Sequence, residues 1–426
     1  MSSLPNSWNS VKLKDIARIG DGVHASVNRL TEGVLYLSSK NFGTDRLDLS
    51  KVDYISENDY LRFFKPSLKA ITKPEKDDVL LGIIGTLGAP YLVRASDRFG
   101  ISSSVAIIRS NSDMVISAYL YYWFKSPIFQ NAINQIKSGV AQSFLSLGMI
   151  GSLPCDYPQS IETQRKIAAI LSAYDDLIEN NLQRIKLLEE MAQITYEEWF
   201  VRMKFPGHET AQWDKATGLP KGWKKGCVCD ISDVNRDNIT VKDEPEYIHY
   251  IDIASTNTGS YNKPELMAFS EAPSRARRKL KFGDTIFSTV RPNRKTYSLI
   301  LDHDPHLVAS TGFAVLTPLI ETQFSFVYLS VANQEFVDRA VSVAGGAAYP
   351  AVNQKDFEKI SVIIPDNCLI HEFSKISNPC FETISALTKQ NALLREAREI
   401  LLPRLMTGVI DVDQVEVPEA LLARVA

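Results

Sequence analysis

Several stretches of the sequence carry residue types that could do chemistry at close quarters. His303-Asp304-Pro305-His306 could offer two imidazoles to a metal, and Cys227-Val228-Cys229 two thiolates. Asn378-Pro379-Cys380-Phe381 lies one residue away from the Asn-Pro-Pro-Phe/Tyr loop of amino-methyltransferases, and Gly82-x-x-Gly85-x-x-Gly88 is rich in glycine. None of them assembles a site. Pro305 prevents a regular helix from holding both imidazoles on one face, and no third ligand lies nearby, so a loop with two exposed histidines is expected. The cysteine pair lacks the second pair of a zinc site; in a strand, alternation would point both thiols to one face as ordinary packing. The Asn-Pro segment lacks the second proline and an upstream Gly-rich cofactor loop on a strand. The glycine spacing is not G-x-G-x-x-G and no acidic ribose ligand follows, so a tight loop allowing close backbone approach is expected. No G-x-x-x-x-G-K-[ST] is present, and six scattered histidines assemble no Ser-His-Asp or Cys-His arrangement. No catalytic residue, metal ligand or bound cofactor is therefore assigned to this chain.

The positive signal is charge. Between Glu271 and Lys295 lie Arg275, Arg277, Arg278, Lys279, Lys281, Arg291, Arg294 and Lys295, against only Glu271 and Asp284, in a chain whose net charge is −3. The first half carries a looser set: Arg62, Lys65, Lys69, Lys73 and Lys76, with Arg94 and Arg98 beyond. Such clusters neutralise phosphates and gain affinity as counterions are released. Arg and Asn also make bidentate contacts to guanine and adenine in the major groove, which places Asn293 near base edges. A charge run alone is usually a solvated face; two patches, one per half and on equivalent loops, favour DNA. The Gly-rich segments 139–144 and 345–349 are the runner-up contact loops.

The elements that must position these residues come in duplicate. Leu4-Pro5-x-x-Trp8 recurs as Leu219-Pro220-x-x-Trp223, and at the same offset Asp15-Ile16 recurs as Asp230-Ile231. Asp78-Val79-Leu80-Leu81-Gly82 faces Asp284-Thr285-Ile286-Phe287-Ser288, Ala106-Ile107-Ile108 resembles Ala314-Val315-Leu316, and Ser138 to Ala141 resembles Gly345 to Ala348. Each match is weak; their unbroken order is a strong signal. Val79 to Leu81, Thr285 to Phe287, Val105 to Ile108 and Phe313 to Leu316 read as short buried strands. Past Pro158 and Pro365 each half enters a heptad-patterned helix. The first seam runs Ile167, Leu171, Tyr174, Ile178, Asn181, Ile185, Leu188, Ala192; the second runs Cys380, Ile384, Leu387, Asn391, Leu394, Arg398, Leu401, Leu405. Asn181 and Asn391 are expected to fix register, since a buried Asn wants a polar partner at one level only. Arg398 and Pro379 weaken the second seam, and Pro379 is expected to kink or start that helix. Gly408 is its expected stop.

Composition bounds the class. The chain has 426 residues, 45% hydrophobic and 23% charged, which excludes disorder as the main state and predicts two or three domains. Five cysteines with one close pair argue against a secreted disulfide scaffold and for a reducing compartment. The N-terminus lacks a signal peptide's charged and apolar regions, and the apolar runs fall far short of the ~20 residues of a membrane span. A soluble cytoplasmic protein with no membrane partner is expected.

Taken together the motifs resemble the specificity subunit of type I restriction-modification enzymes. The resemblance rests on Leu-Pro-x-x-Trp opening each half, on Glu162-Thr163-Gln164-Arg165-Lys166-Ile167 leading into Ile170-Leu171-x-x-x-Asp175, on Ile185-x-x-Leu188 through Trp199-Phe200, and on Leu401-Leu402-x-x-Leu405-x-x-Gly408-x-Ile410. Cys368 to Glu372 lacks the Glu-x-Gln-x-x-Ile pattern of the first helix. The resemblance implies an α+β fold: two pseudo-repeated mixed α/β target-recognition domains separated by two long helices forming an antiparallel coiled coil. The expected boundaries are 1–155 and 219–365 for the recognition domains, 156–204 and 366–408 for the helices, 205–218 for a linker and 409–426 for a tail. It also implies a non-catalytic reader of double-stranded DNA with a bipartite site, docking two modification (adenine methyltransferase) subunits and the restriction (motor-nuclease) subunits. S-adenosylmethionine, ATP and Mg would belong to those partners. Two rivals stay open: a nuclease using scattered Asp and Glu, and a structural adaptor that binds only protein.

Overall fold

In the computed structural model the described residues are 5–43, 46–66, 71–138, 144–345 and 350–425, with the backbone alone at 136–138. They form two compact units, Met1–Asn180 with Asn391–Ala426, and Asn181–Gln390. Each unit contains one mixed domain and one half of each long helix.

The first unit runs β1 (Trp8–Lys12), α1 (Leu13–Ile16), β2 (Ala17–Asp21), β3 (Val34–Leu37), β4 (Asp53–Ile55), α2 (Glu57–Phe63), β5 (Val79–Gly82), β6 (Pro90–Leu92), β7 (Phe99–Ile101), β8 (Val105–Ser110), α3 (Ser117–Lys125), α4 (Pro127–Ser138), α5 (Leu147–Ser152) and β9 (Pro154–Pro158), then enters α6 (Ile161–Tyr196). One antiparallel sheet has the order β2-β8-β5-β6; a second has the order β4-β3-β7, with β3 and β7 parallel; β1 pairs with β9. The central sheet is covered on both faces. Val79, Leu81, Ala106 and Ile108 face the helices, while Leu80, Val105 and Ile107 face the second sheet. Strands buried on both faces read as unbroken apolar runs rather than alternating ones, which is why these segments stand out in the sequence.

The second unit repeats this plan. It runs β10 (Lys224–Cys227), β11 (Ser232–Val234), β12 (Tyr247–Ile251), the hairpin β13 (Thr256–Asn257) and β14 (Ser260–Tyr261), β15 (Leu266–Ala268), β16 (Ala276–Lys279), β17 (Thr285–Ser288), β18 (Tyr297–Leu299), β19 (Leu307–Ser310) and β20 (Phe313–Pro318). It continues through α7 (Phe324–Val331), α8 (Gln334–Val343), α9 (Gln354–Glu358) and β21 (Ser361–Ile364) into α10 (Asn367–Met406); α11 (Glu419–Leu422) follows in the first unit. The order β11-β20-β17-β18 matches the first unit's central sheet, and β10 pairs with β21 as β1 does with β9. The second sheet, β15-β12-β19-β16, has a strand that the first unit lacks among the described residues.

The heptad seams are buried. Ile167, Leu171, Ile178, Asn181 and Ala192 on α6, and Cys380, Ile384, Leu387, Asn391, Arg398 and Leu405 on α10, are all nearly inaccessible. Within the first unit Ile167 and Leu171 share a core with Leu402 and Leu405, and within the second Tyr196 packs its ring on Phe373 at 6.1 Å, so in each unit the two helix halves run antiparallel. Asn181 donates to Gln390 Oε1 at 3.0 Å. Arg398 sits in the seam because it pairs with Asp175, which also accepts from Tyr122 Oη at 2.9 Å and Lys125 Nζ at 3.2 Å.

Pro379 neither starts nor breaks α10. The helix begins at Asn367, where the preceding Asp366 carboxylate accepts the Leu369 N–H at 2.9 Å, and it runs on to Met406. The neighbouring Asn378 is tied down from outside, donating to Thr322 O at 2.8 Å and accepting from Ser325 Oγ at 2.5 Å. Tertiary bonds thus override the local penalty of the proline. Gly408 does end the helix, at φ 69°; a Cβ there would lie 2.6 Å from Pro5 Cγ and 3.2 Å from Trp8. Trp223 likewise packs at the end of α6, 5.9 Å from Phe200 and 5.2 Å from Phe205. The repeated Pro-x-x-Trp therefore seats each domain against the end of a long helix.

Candidate nucleic-acid interface

Arg277, Arg278 and Lys279 are not on a loop. They form β16, which joins the edge of the second sheet beside β19 with a register shift between Ala276 and Arg278. This corrects the expectation of equivalent basic loops: backbone pairing with β19 overrides the low strand preference of charged residues. The Arg277 guanidinium lies over the Phe269 ring at 4.9 Å. Arg278 donates to Asn238 Oδ1 at 2.7 Å, and burial lowers its pKa. Lys279 pairs with Asp243, whose carboxyl is held below its ordinary range by hydrogen bonds from Lys279 and Thr240. Lys281 approaches Glu321 at 3.6 Å. Arg275 is exposed, and its carbonyl accepts the Thr311 N–H at 2.8 Å.

Arg291 and Lys295 flank a single helical turn, Pro292–Arg294, that leaves Asn293 and Arg294 exposed. The Arg291 N–H donates to Pro350 O at 2.8 Å, and the Lys295 carbonyl accepts from Thr258 Oγ1 at 2.7 Å. The runner-up segment from Gly345 is adjacent: Gly345 and Val290 both bridge to Ala351. Residues 346–349 lie outside the described residues, as do 139–143 and Lys69.

The first unit's basic residues are more often paired with acids. Arg94 makes a bidentate pair with Glu179 at 2.8 and 2.6 Å, which raises its pKa further. Arg98 pairs with Glu57 and lies over Tyr60 at 5.0 Å, and Lys76 meets Asp77 at 3.2 Å. Arg62, exposed on α2, lies over Phe63 at 5.1 Å; Lys65 is exposed and Lys73 half-buried. The described residues of the loose first-half set are thus distributed over α2 and several loops, with Arg62, Lys76, Arg94 and Arg98 each on a local partner, rather than gathered on one strand.

The other stretches take structural roles. Asn378 to Phe381 lies inside α10. Cys227 and Cys229 are joined as a disulfide, and Val228 begins a tight helical turn, so the strand ends before the second thiol can alternate with the first. Asp230 accepts the Cys227 N–H at 2.8 Å. The ligand atoms of Cys227, Cys229 and Asp230 lie within 4.8 Å of one another. His303 stacks on Phe282 at 4.4 Å, while Asp304 bonds His249 and accepts the His306 N–H at 2.8 Å. Gln164 lies in the first turn of α6. It is fully buried and makes three bonds, accepting from Ile116 N at 2.9 Å and donating to Met114 O at 2.9 Å and Pro158 O at 2.7 Å. Among the described residues no helix is long and apolar enough to cross a membrane.

Comparison with known proteins agrees with this duplicated plan. The specificity subunit of the MjaIX type I restriction enzyme of Methanocaldococcus jannaschii is 23% identical, over 97% of this chain and 96% of its own length. That of the HindI enzyme of Haemophilus influenzae is 22% identical, over 79% and 87%. The crystal structure of the S subunit of a type I restriction-modification system from M. genitalium shares the fold, with a TM-score of 0.58 at 15% identity, covering 95% of this chain and 98% of that one. The family described as type I restriction modification DNA specificity domain matches twice, over residues 5–190 and 220–391. With one such match for each copy of the repeat, the chain belongs to the type I restriction-modification DNA specificity family.

Proposed function

We propose that this chain is the non-catalytic DNA-reading subunit of a type I restriction-modification assembly, and that each unit reads one half of a bipartite duplex target. The observation that carries this is the duplication: two units with the same central strand order, each matching the specificity family. Two copies of one recognition plan in a single chain suit a target with two half-sites, as the two subunits of a dimeric reader do. In this reading the recognition domains span 1–155 and 219–365, and the edge strand β16 with the Arg291–Lys295 turn faces DNA in the second unit. The net charge of −3 is tolerable if partner subunits add phosphate contacts.

The long helices would dock the modification subunits, with the restriction subunits joining that assembly. Away from the seam, Leu187, Met191 and Ile194 are 63, 46 and 58% exposed on one stripe of α6, and Leu393 and Ile400 are similarly exposed on α10. Such apolar stripes suit a helical partner. S-adenosylmethionine, ATP and Mg²⁺ would be bound by those partners.

The test is a domain exchange in a host that supplies the partner subunits, read by methylome sequencing. Replacing residues 219–365 with the corresponding region of a relative should change one half of the methylated motif and leave the other. A change in both halves would refute one unit per half-site, and an unchanged motif would refute DNA reading by this region.

A further inference from the structure

The turn between β5 and β6 and the turn between β17 and β18 are the same structural element built from opposite chemistry. Two anchoring backbone bonds correspond, although the second turn is one residue longer and its exit differs, Gly88 N donating to Gly82 O and Lys295 N to Pro292 O. Ile83 N donates to Ser104 O at 2.9 Å and Leu145 N to Ile83 O at 2.9 Å; Thr289 N donates to Gly312 O at 3.0 Å and Val352 N to Thr289 O at 2.9 Å. In both, the chain enters and leaves the turn in the left-handed conformation. The first unit uses Gly85 at φ 78° and Gly88 at φ 84°; the second uses Arg291 at φ 51° and Lys295 at φ 55°. Glycine takes this conformation without strain, whereas a Cβ crowds the backbone. Arg and Lys also lack the short polar side chain that lets Asn and Asp tolerate it. The second unit therefore holds two cations where the fold's own preference is glycine.

The surroundings differ in the same sense. Beside the first turn Ile84 and Phe144 are 48 and 53% exposed, and no charged residue lies between Ile83 and Pro90. Beside the second, Arg294 is exposed at the tip, and Arg275 is carried onto the same edge because its carbonyl binds Thr311 N while the next residue, Gly312, binds Thr289 N. Strained positions persist where the side chain serves a purpose that a relaxed residue would not.

We infer that Arg291 and Lys295 are phosphate-clamping residues of the second unit, and that the uncharged Gly85–Gly88 turn is their counterpart in the first. The two half-sites are then bound with unequal salt dependence. This inference rests on the DNA-reading proposal above. Each phosphate contact contributes about 0.9 to the slope of log affinity against log salt.

The test is a pair of double variants of the full chain, assembled with its modification subunits. Arg291→Gly with Lys295→Gly relieves the backbone. Arg291→Asn with Lys295→Asn keeps a residue that accepts the left-handed conformation without the charge. Both should unfold at the same temperature as wild type or higher. Both should bind the target duplex with a salt slope shallower by about 2, and neutralising the phosphates of the second half-site as methylphosphonates should cost them less than it costs wild type. If the Asn variant keeps the wild-type slope and second-half-site dependence, the inference fails while DNA reading stands. Equal losses at both half-sites also overturn it. If wild type itself shows no preference for any duplex, the DNA-reading proposal fails first.

Discussion

Asp78 in the first unit and Asp284 in the second occupy one place in the repeat and are held by different chemistry. Each is almost fully buried at the start of a central strand. Each accepts the N–H three residues back, from Glu75 at 2.8 Å or Lys281 at 2.9 Å, and each has its carbonyl bonded by the strand across, from Val93 at 2.9 Å or Ile300 at 2.8 Å. The side-chain partner differs. Asp78 is gripped by Arg109 through two 2.8 Å bonds, while among the described residues Asp284 has only the Thr317 hydroxyl at 2.7 Å. The long helices show the same division. Asp175, Arg398 and Lys125 form an ion cluster in the first unit; the corresponding residues of the second are Phe381, Ala192 and Ala332, with Phe381 packed on Tyr328 at 5.5 Å. Gln164, with three buried bonds, corresponds to a buried Ile370. The repeat preserves backbone and topology and lets the first unit close on polar pairs and the second on apolar contacts. A buried pair can be exchanged for apolar packing only as a set, because removing one partner strands the other.

The largest effect should come from breaking this rule in the first unit. Arg109→Thr puts the second unit's residue opposite Asp78 and leaves a buried carboxylate without its guanidinium. A loss of about 3–5 kcal/mol is expected for an uncompensated buried charge, measured as a lower denaturant midpoint for the transition of that unit. A loss below about 1 kcal/mol would show that the Asp78 site does not need its cation and that the two units are chemically alike there.

A smaller effect is expected in the helix seam. Arg398→Ala copies Ala192 but leaves Asp175 with Lys125 and Tyr122, so it should cost about 2–3 kcal/mol. In a double-mutant cycle with Asp175→Asn, a coupling of about 2 kcal/mol is expected because the two share one bond network. Strict additivity would mean that Arg398 is held by packing of its stem alone, and the contrast with the apolar second unit would lose its meaning at this position.

Much of this was legible in the sequence wherever one element carries its own signal. Val79 to Leu81 and Phe313 to Leu316 read as strands because both faces are buried, and the seams read as helices because the heptad is local. What escaped depends on partners far along the chain. Arg398 looked like a flaw in its seam because Asp175 is 223 residues away. Strand β16 looked like a charged loop because its pairing with β19 is non-local and its side chains are Arg and Lys. The basic residues stand out by type, but nothing nearby in the sequence reveals that Arg94 meets Glu179 or Lys279 meets Asp243. The left-handed turn at Arg291 and Lys295 is hidden from residue preference, since neither residue marks that conformation. The repeat could have exposed it, because Gly85 and Gly88 stand at the matching positions. Asp77 and Gly283 show the exchange running the other way, at φ 70° and 88°.

The smallest of the expected effects separates the two aspartates by pH. Burial pushes the Asp284 carboxyl up to about 6, against the hydrogen bonds from Thr317 and Lys281 N–H and the charges of Lys281 and Arg236, which favour the ionised form. The unfolded value is about 3.9. The folded protein therefore holds this proton more tightly, and the stability tied to it is fully present below about pH 4 and lost as pH rises through 6. The span corresponds to about 2–3 kcal/mol. Asp284→Asn imitates the protonated acid: its amide can donate to Thr317 Oγ1 while its carbonyl accepts the Lys281 N–H. Other carboxylates, including Asp243, Asp304 and Glu372, have lowered values and tilt the whole curve the opposite way. The informative quantity is consequently the variant's stability minus that of wild type. It should be near zero at pH 4 and grow to about 2 kcal/mol in favour of the variant by pH 7.5, read from urea midpoints of the second unit. The corresponding Asp78→Asn should run the other way, destabilising at pH 7.5 because Arg109 then loses its anion. A pH-independent difference at Asp284 would show that its carboxyl is ionised at no cost in the folded chain, and the distinction between the two aspartates would reduce to geometry.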